Sequence, residues 1–392
     1  MELVELGTIL EMVKGKKPVN QSAEKKDGYF PYVDIEAFET GIIKQYTDGE
    51  KCTPCDDGDI LIVCDGSRSG LVGRAVKGYV GSTLAKISAK GLDDNYFFHF
   101  VQGKYALLNT KKKGTGTPHL NPELLKQQKL IVPSLPEQER IVSRIEEMFS
   151  QLDAGVETLK KTKAQLAVYR QAVLKEAFEG KLSGAEIIST TVLKDFIETP
   201  RYGTAKKCDY SHSDSSVAVY RIPNIDYNSG RISHEDIKYA EFESRELDGI
   251  TLEKGDILII RSNGSASLVG RASMINEFDT KGTFAGYLMR LRIKDQDALL
   301  PQFLLWYLQS HMARVYIENK AKSTSGVHNI NSTEISQLPI PVLEKKEQER
   351  VIEAIESRLS VCDSIEKTVD NALLQAEAMR QSILKEAFEG RL

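Results

Sequence analysis

The chain has 392 residues, of which 41% are hydrophobic and 28% are charged, and its formal net charge is −4. This length is expected for two or three domains, and the composition excludes fibrous, disulfide-scaffold and wholly disordered proteins. The five cysteines, an odd number, favour a reducing compartment, and the slight acidity argues against charge-driven nucleic-acid binding by the whole molecule.

Neither a membrane span nor a secretion signal is predicted. The longest apolar runs, such as residues 60–64, fall far short of the ~18 residues that a bilayer requires. The N-terminus is apolar and then basic, which is the reverse of a secretion signal. A cytosolic protein is therefore expected.

The first region, residues 1–135, alternates β-rich runs with polar turns. Strands are predicted at Tyr29–Ile35 and Asp59–Cys64, and an apolar helix at Tyr96–Leu108. A Gly/Ser-rich loop follows the second strand, and a Lys-rich loop follows the helix. The candidate binding residues in these loops are Arg68, Arg74, Lys111, Lys112, Lys113 and His119.

The next region, residues 136–182, is predicted to be one long helix. Its apolar residues recur at alternating steps of four and three, which is a heptad pattern: Ile145, Phe149, Leu152, Val156, Leu159, Leu166 and Val173. Lys163 and Arg170 interrupt this seam, and such polar residues can fix the register of a helix pair. Gly180 is expected to end the helix.

Residues 191–343, after a short linker at 183–190, repeat the mixed pattern of the first region. Strands are predicted at Val217–Ile222, Asp256–Arg261 and Tyr287–Ile293, and a buried helix at Leu299–Ile317. Polar loops again follow a strand and the apolar helix. Their candidate binding residues are Arg261, Asn263, Arg271, Lys320, Lys322 and His328.

The final region, residues 344–392, is a second copy of the long helix. The segments that open with Glu137 and Glu347 align without a gap at an offset of 210 residues, with about 20 of 46 positions identical. Glu366 and Arg380 interrupt the second seam, and Gly390 is expected to end it. A shorter echo matches Leu71-Val-Gly-Arg74 with Leu268-Val-Gly-Arg271. The chain is therefore a duplication: variable domain, constant helix, variable domain, constant helix.

Two helices of matched length and register would most simply bury their apolar stripes against each other. Each would have about 43 residues and a length of roughly 64 Å. The alternative is that each helix packs on a separate globular body. A seam that runs the whole length of both copies favours the paired arrangement.

Catalytic motifs are largely missing from the sequence. It contains no phosphate-binding Gly-x-x-x-x-Gly-Lys-[Ser/Thr] loop, no Rossmann fingerprint, and no Asn/Asp-Pro-Pro-aromatic motif of amino-methyltransferases. Cys52 and Cys55 form a C-x-x-C pair, which a redox couple or half of a zinc site would also show. The nearest candidate for a second zinc-ligand pair, Cys208 with His212, lies in the other variable domain, so two ordinary loop cysteines are favoured.

The polar loops are better candidates for function. Glycine lets backbone amides approach phosphates, and arginine and asparagine form bidentate hydrogen bonds with base edges. Solvated turns have the same composition. The recurrence of these loops in both halves favours a binding role, although a shared fold could also preserve a turn.

The chain resembles the specificity subunit of type I restriction–modification systems. The likeness covers essentially the whole chain and rests on the two segments that open with Glu-Gln-Glu-Arg and close with Leu-Lys-Glu-Ala-Phe-Glu-Gly-[Lys/Arg]-Leu. It implies a mixed α/β fold: two globular target recognition domains separated by two long helices that form an antiparallel coiled coil, with a pseudo-two-fold repeat. It also implies double-stranded DNA, two methyltransferase subunits and restriction/translocase subunits as partners. No catalytic residue, metal or cofactor is expected in this subunit.

Because the two variable regions differ in sequence, two unrelated half-sites around a fixed spacer are expected, roughly one helical turn of ~34–36 Å apart. Two other functions stay open at this stage. One is a coiled-coil scaffold that does not bind DNA, and the other is a thiol or metal protein that uses Cys52 and Cys55.

Overall fold

A computed structural model describes residues 2–110, 118–324 and 326–392. The chain divides into two compact units. The first unit comprises residues 1–160 and 370–392, and the second comprises residues 161–369. Each long helix therefore contributes one part to each unit, and the units are described in turn.

Two four-stranded sheets form the body of the first unit. The larger sheet is antiparallel, with strand order Leu10–Lys14, Leu84–Ala89, Ile60–Val63 and Val72–Arg74. The smaller sheet is mixed, with order Tyr46–Thr47, Phe30–Val33, Gly78–Val80 and Pro54–Cys55. Strand Glu2–Glu5 pairs with Lys129–Val132. The short helices of this unit are Leu6–Thr8 (3₁₀), Ile35–Thr40, Asp94–Gln102, Tyr105–Thr110 and Pro122–Lys126.

The central strand Ile60–Val63 is buried on both faces, which explains its unbroken apolar sequence. Ile60 and Ile62 pack with Ile145 of the first long helix. Leu61 and Val63 point the other way, into a second apolar cluster. A strand with both faces covered loses the alternation that marks a half-exposed strand.

The second unit has a similar plan, with one six-stranded sheet and two three-stranded sheets. Its main sheet has strand order Arg201–Tyr202, Leu288–Leu291, Ile257–Ile260, Ala272–Met274, Arg231–Ile232 and Ile225–Asp226. Two three-stranded sheets have the orders Lys238–Glu241, Ser216–Tyr220, Thr283–Phe284 and Ser262–Asn263, Val327–Asn329, Lys322–Thr324. Strand Ser189–Val192 pairs with Pro339–Val342. Its α-helices are Ser244–Leu247, Pro301–Gln309, His311–Lys320 and Ser332–Ser336, and its 3₁₀ turns are Leu193–Asp195, Ile222–Asn224, Ala266–Leu268 and Asp279–Lys281.

The predicted helix over Tyr96–Leu108 is two helices, Asp94–Gln102 and Tyr105–Thr110. The prediction of one helix over Leu299–Ile317 is also wrong in detail. The structure has two helices there, Pro301–Gln309 and His311–Lys320. Ser310 separates them because its backbone is extended and its side chain accepts a hydrogen bond from the amide of Ala313, which caps the second helix.

Both long helices are present, at Leu135–Phe178 and Lys345–Phe388, with 44 residues each. Gly180 and Gly390 follow them with φ of +73° and +75°, which confirms the predicted helix stops. The amide of Lys181 donates to the carbonyl of Glu176 at 2.9 Å and closes the last turn.

The two long helices contact each other inside each unit. In the first unit, Ile145 and Phe149 share an apolar core with Ile383 and Leu384. In the second unit, Val173 and Leu174 of the first helix share a core with three residues of the second helix, Val351, Ile355 and Leu359. Of the seam positions predicted on the first helix, Ile145, Phe149 and Val173 are buried, and Leu152, Val156, Leu159 and Leu166 are half-buried.

Candidate nucleic-acid interface

In the first unit, the two predicted polar loops meet at the end of strand Ile60–Val63. The amide of Leu120 donates to the carbonyl of Cys64 at 2.7 Å. One residue further along, Asp65 accepts from Nδ1 of His119 at 2.7 Å and from Nζ of Lys14 at 3.1 Å. The carboxylate of Asp65 therefore lies between the side chains of His119 and Lys14, which are both exposed.

The carboxylate of Asp65 is held in its charged form. Burial raises its pKa, but the hydrogen bonds from His119 and Lys14 outweigh burial, so the pKa lies below the ordinary value for aspartate. Asp65 therefore serves as an anchor for His119 and Lys14.

The two arginines predicted in this unit have different surroundings. Arg68 pairs with Glu39, and about half of its side chain (51%) is exposed. Arg74 donates to the carbonyl of Gly58 at 2.8 Å and lies 4.5 Å from the centre of the Phe98 ring. Burial lowers the pKa of Arg74. Arg68 is accessible to a ligand, whereas Arg74 is a packing residue between strand and helix.

Besides Lys320, four of the predicted binding residues are lysines of the two Lys-rich loops. Lys111, Lys112 and Lys113 lie outside the described residues. Lys322 lies in strand Lys322–Thr324, where its backbone is opposite Asn329. Their role stays a prediction.

The corresponding loops of the second unit also meet. The amide of Ile330 donates to the carbonyl of Arg261 at 2.9 Å. Asn263 is opposite His328 in the small sheet that follows strand Ile257–Ile260. The side chain of Asn263 accepts from the amide of Ser265 at 2.8 Å and so shapes its own loop.

Arg261 lies in a cleft of about 800 Å³ at this sheet end. Its guanidinium carbon is 4.4 Å from the centre of the Tyr202 ring, and its Nη1 donates to the carbonyl of Gly286 at 2.9 Å. Nε of Arg261 is buried and has no hydrogen-bond partner. Tyr287, 65% exposed, also lines the cleft. These contacts fix the direction of the guanidinium before any ligand binds.

The remaining predicted residues of this unit lie apart from the cleft. Arg271 stacks on Tyr227 at 4.8 Å, and burial and the nearby Arg314 lower its pKa. Lys320 is exposed, and its Nζ is 5.9 Å from the centre of the Tyr316 ring. Arg271 thus resembles Arg74 in being a packing residue.

The repeated Leu-Val-Gly-Arg sequence is not repeated in three dimensions. Ile62 pairs with Val72, whereas its counterpart Ile259 pairs with Ala272, so the connection is three residues longer in the second unit. Arg74 is consequently equivalent in the sheet to Met274, since these residues pair with Ile60 and Ile257, the first residues of the two central strands. The sequence echo gave the wrong equivalence because it cannot show where a loop gains residues.

Equivalent positions at the two sheet ends carry different side chains. Cys64 and Arg261 both follow the central strand and accept the same loop hydrogen bond. Lys14 and Tyr202 are both paired with the neighbouring strand, opposite Ala85 and Met289. A thiol and an ammonium group in one unit therefore correspond to a guanidinium and a phenol in the other.

The two predicted histidines are not equivalent either. Leu120 and Ile330 are equivalent, because each donates its amide to the residue that follows the central strand. His119 is therefore equivalent to Asn329, and His328 lies one residue before that position. Because successive side chains of a strand point to opposite faces of the sheet, the rings of His119 and His328 point to opposite faces.

Sequence reasoning missed one pair of basic loops. In each unit a glycine, Gly15 or Gly203, packs too closely against neighbouring backbone carbonyls to tolerate a Cβ. Each loop that follows carries two adjacent exposed lysines: Lys16, Lys17, Lys206 and Lys207. The repeated Gly-x₀₋₂-Lys-Lys spacing is the signal that could have identified them.

The cysteine pair has the properties of a structural feature. Burial raises the pKa of Cys55 to about 11, and it also raises the pKa of Cys52. Within the described ranges, no group of three or more His, Cys, Asp or Glu residues is arranged to hold a metal ion. None of the helices described is long and apolar enough to cross a bilayer.

The comparisons with known proteins agree with this architecture. The family model described as "Type I restriction modification DNA specificity domain" matches residues 1–167 and 190–375. The StySPI specificity subunit of Salmonella potsdam is 26% identical over 394 residues, covering 96% of this chain and 82% of the relative. The MjaVIII specificity subunit of Methanocaldococcus jannaschii is 23% identical, covering 100% and 92%.

Solved structures share the fold. A chain from a study of "complex assembly and conformational transition of the type I R-M system" matches with a TM-score of 0.74 and 18% identity, covering 100% of this chain and 98% of that chain. The HsdS subunit from Thermoanaerobacter tengcongensis matches with a TM-score of 0.51 and 18% identity, covering 100% and 97%. With two matched repeats, a mixed α/β fold and a long helix after each globular region, the chain belongs to the family of type I restriction–modification DNA specificity subunits.

Proposed function

We propose that this subunit reads an asymmetric, bipartite DNA site, with one half-site bound by each recognition domain, residues 1–135 and residues 191–343. The observation that carries the proposal is the difference in chemistry at equivalent sheet ends. Lys14, bonded to Asp65 in one unit, corresponds to Tyr202, stacked on Arg261 in the other. Different donor and acceptor patterns select different base pairs in the major groove.

The accessible hydrogen-bond donors divide into two groups, those whose side-chain direction is fixed by neighbouring residues and those whose side chains are flexible. Arg261, held by Tyr202 and Gly286, is directed well enough to read a base edge, and a guanine is its natural partner. Arg68 and His119 are the corresponding candidates in the first unit. Of the exposed lysines after Gly15 and Gly203, Lys16, Lys17 and Lys207 are suited to phosphates, because an ammonium group on a flexible stem acts as a point charge, whereas Lys206 is already paired with Glu246.

The long helices would set the spacing between the half-sites as an antiparallel coiled coil. In the first unit Arg380 pairs with Asp153, and in the second unit Arg170 pairs with Asp363. These contacts join an early part of one helix to a late part of the other, as antiparallel packing requires. Helices of 44 residues would be about 66 Å long, enough to span one turn of DNA and to reach into both domains.

The helices would also be the docking surface for two methyltransferase subunits, which restriction/translocase subunits join in the full complex. Large apolar side chains remain exposed on them, including Val168 and Leu374, each 71% exposed. The partner would flip the target base and carry out the methyl transfer. This chain would perform no bond chemistry.

The experiment is to map methylated adenines in DNA modified by the assembled methyltransferase. An asymmetric pair of half-sites at one fixed gap is the expected result. Exchanging residues 1–135 for another recognition domain should then change one half-site and leave the other. A change in both half-sites, or methylation without a bipartite motif, would contradict the proposal, and absence of sequence-dependent protection would favour a scaffold that does not bind DNA.

A further inference from the structure

A buried glutamine joins the first recognition domain to its long helix. Gln138 lies in the first turn of helix Leu135–Phe178 and is only 1% exposed. Its Oε1 accepts from the amide of Asp93 at 2.7 Å, and its Nε2 donates to the carbonyl of Pro133 at 3.0 Å. Both polar atoms of the amide are therefore used.

The second unit contains the same connection. Gln348, also 1% exposed, accepts from the amide of Leu300 at 2.8 Å. Its Nε2 donates to the carbonyls of Leu343 at 3.0 Å and Ala298 at 2.9 Å. Gln138 and Gln348 are the second residues of the repeated Glu-Gln-Glu-Arg sequence, so the repeat has a structural reason.

The two residues whose amides donate to these glutamines both lie at the start of a helix. Asp93 and Leu300 are the N-caps of helices Asp94–Gln102 and Pro301–Gln309, which we call the docking helices. The docking helices also carry the aromatic contacts to the end of the other long helix. In the first unit, Phe388 packs edge-on against Tyr96 at 5.0 Å, and Phe178 packs against Phe303 at 5.2 Å in the second unit.

Apolar and aromatic contacts tolerate small rotations, whereas a buried amide with both atoms bonded does not. Removing the glutamine leaves a backbone donor and one or more carbonyls buried without partners, while the aromatic contacts keep the docking helix attached. We propose that Gln138 and Gln348 are positioning residues, which fix the angle of each recognition domain on its long helix and so fix the spacer length that the subunit accepts. This inference rests on the proposed bipartite site.

The test uses the full-length subunit assembled with its methyltransferase. Gln138→Met and Gln348→Met keep the side-chain volume and remove the hydrogen bonds. DNA substrates carry the two half-sites at the native gap and at gaps one base pair shorter or longer. The preference for the native gap should fall about tenfold in each variant, with the half-site sequences unchanged. Gln151→Met, at an exposed position of the same helix, should leave the preference unchanged.

A role in folding alone gives a different result. Urea unfolding of each variant shows whether it is folded before its gap preference is measured. Folded variants that keep the full gap preference would overturn the inference, as would variants at both glutamines that fail to fold. A wild-type complex that shows no fixed gap would instead overturn the proposed function.

Discussion

Arg170 binds Asp363 across the two long helices of the second unit, with Nη2 and Oδ1 2.5 Å apart, and it also reaches Glu366 at 2.9 Å. In the first unit the same repeat positions are Arg380 and Asp153, and they form the corresponding ion pair. Arg170, Glu366 and Arg380, which interrupt the apolar seam, each have a partner of opposite charge on the facing helix. A slipped register would separate these charges while leaving apolar contacts available.

Arg170→Met should therefore lower the free energy of unfolding by about 1–2 kcal/mol, since it removes charge-assisted hydrogen bonds from a side chain that is only 18% exposed. Urea titration measures the change. Arg144→Met breaks an exposed ion pair within one helix and should cost at most about 0.5 kcal/mol. Equal losses in the two variants would show that Arg170 does not contribute as an inter-helix contact.

Arg261→Ala should relax the target at one base pair by ~1–3 kcal/mol if, as proposed, its guanidinium, fixed by Tyr202 and Gly286, reads a base edge. The measurement is the methylation rate on substrates with single-base changes. Arg68→Ala should act in the same way on the other half-site. Arg74→Lys, at a packed position, should leave the target unchanged. Uniform weakening on every substrate would reassign Arg261 to a phosphate contact.

Replacing Lys16 and Lys17 together with alanine should weaken DNA binding on all sequences alike. The slope of log affinity against log salt should decrease by about two if each lysine contacts one phosphate. Fluorescence anisotropy of the assembled methyltransferase on labelled DNA at several salt concentrations gives this slope. The pair Lys25 and Lys26, exposed elsewhere in the same domain, is the matched control. An unchanged slope after loss of Lys16 and Lys17 would remove that loop from the interface.

Asp65 should make the free energy of unfolding depend on pH in the acid range. Its pKa is lower in the folded state than in the unfolded state, so its contribution is fully present above about pH 4 and is lost as the pH falls through the lower, folded value. Asp65→Asn should remove this part of the dependence in urea titrations between pH 6 and pH 3. Asp27→Asn, at an exposed position, should not. Identical pH profiles for wild type and Asp65→Asn would contradict the assignment.

Cys55 should react slowly with iodoacetamide at neutral pH in the native protein, because burial raises its pKa to about 11 and the thiolate is the reactive form. Mass spectrometry of the labelled protein, native and unfolded, measures this. Replacing Cys52 and Cys55 with serine should leave the methylated motif unchanged. Loss of specific methylation in that double variant would support a thiol function.

The architecture was accessible from the sequence because it depends on periodicity and repetition. The heptads around Ile145 and Ile355, the stops at Gly180 and Gly390, and the buried strand at Ile60–Val63 all follow from local chemistry. The family match confirms the predicted identity as a specificity subunit. Both predicted apolar helices are broken: the one over Leu299–Ile317 at Ser310, where a capping hydrogen bond interrupts the apolar pattern, and the one over Tyr96–Leu108 between Gln102 and Tyr105.

The site residues were harder to predict, because their roles depend on contacts between distant segments. Arg74 and Arg271 look alike in sequence, yet a difference of three residues in loop length puts them at different places in the fold. The role of Gln138 was hidden because its partner, Asp93, is 45 residues away. The lysines after Gly15 and Gly203 were missed because a lysine pair alone does not distinguish a binding loop from a solvated turn.

The composition of the first unit has a consequence for biosynthesis. Leu384 and Phe388 pack into the same unit as the N-terminal recognition domain, against Gly103 and Tyr96. During translation, that domain emerges from the ribosome long before these residues do, and it keeps an unfilled apolar surface until they arrive. The apolar core of the first unit is therefore completed only after the second recognition domain has been synthesised.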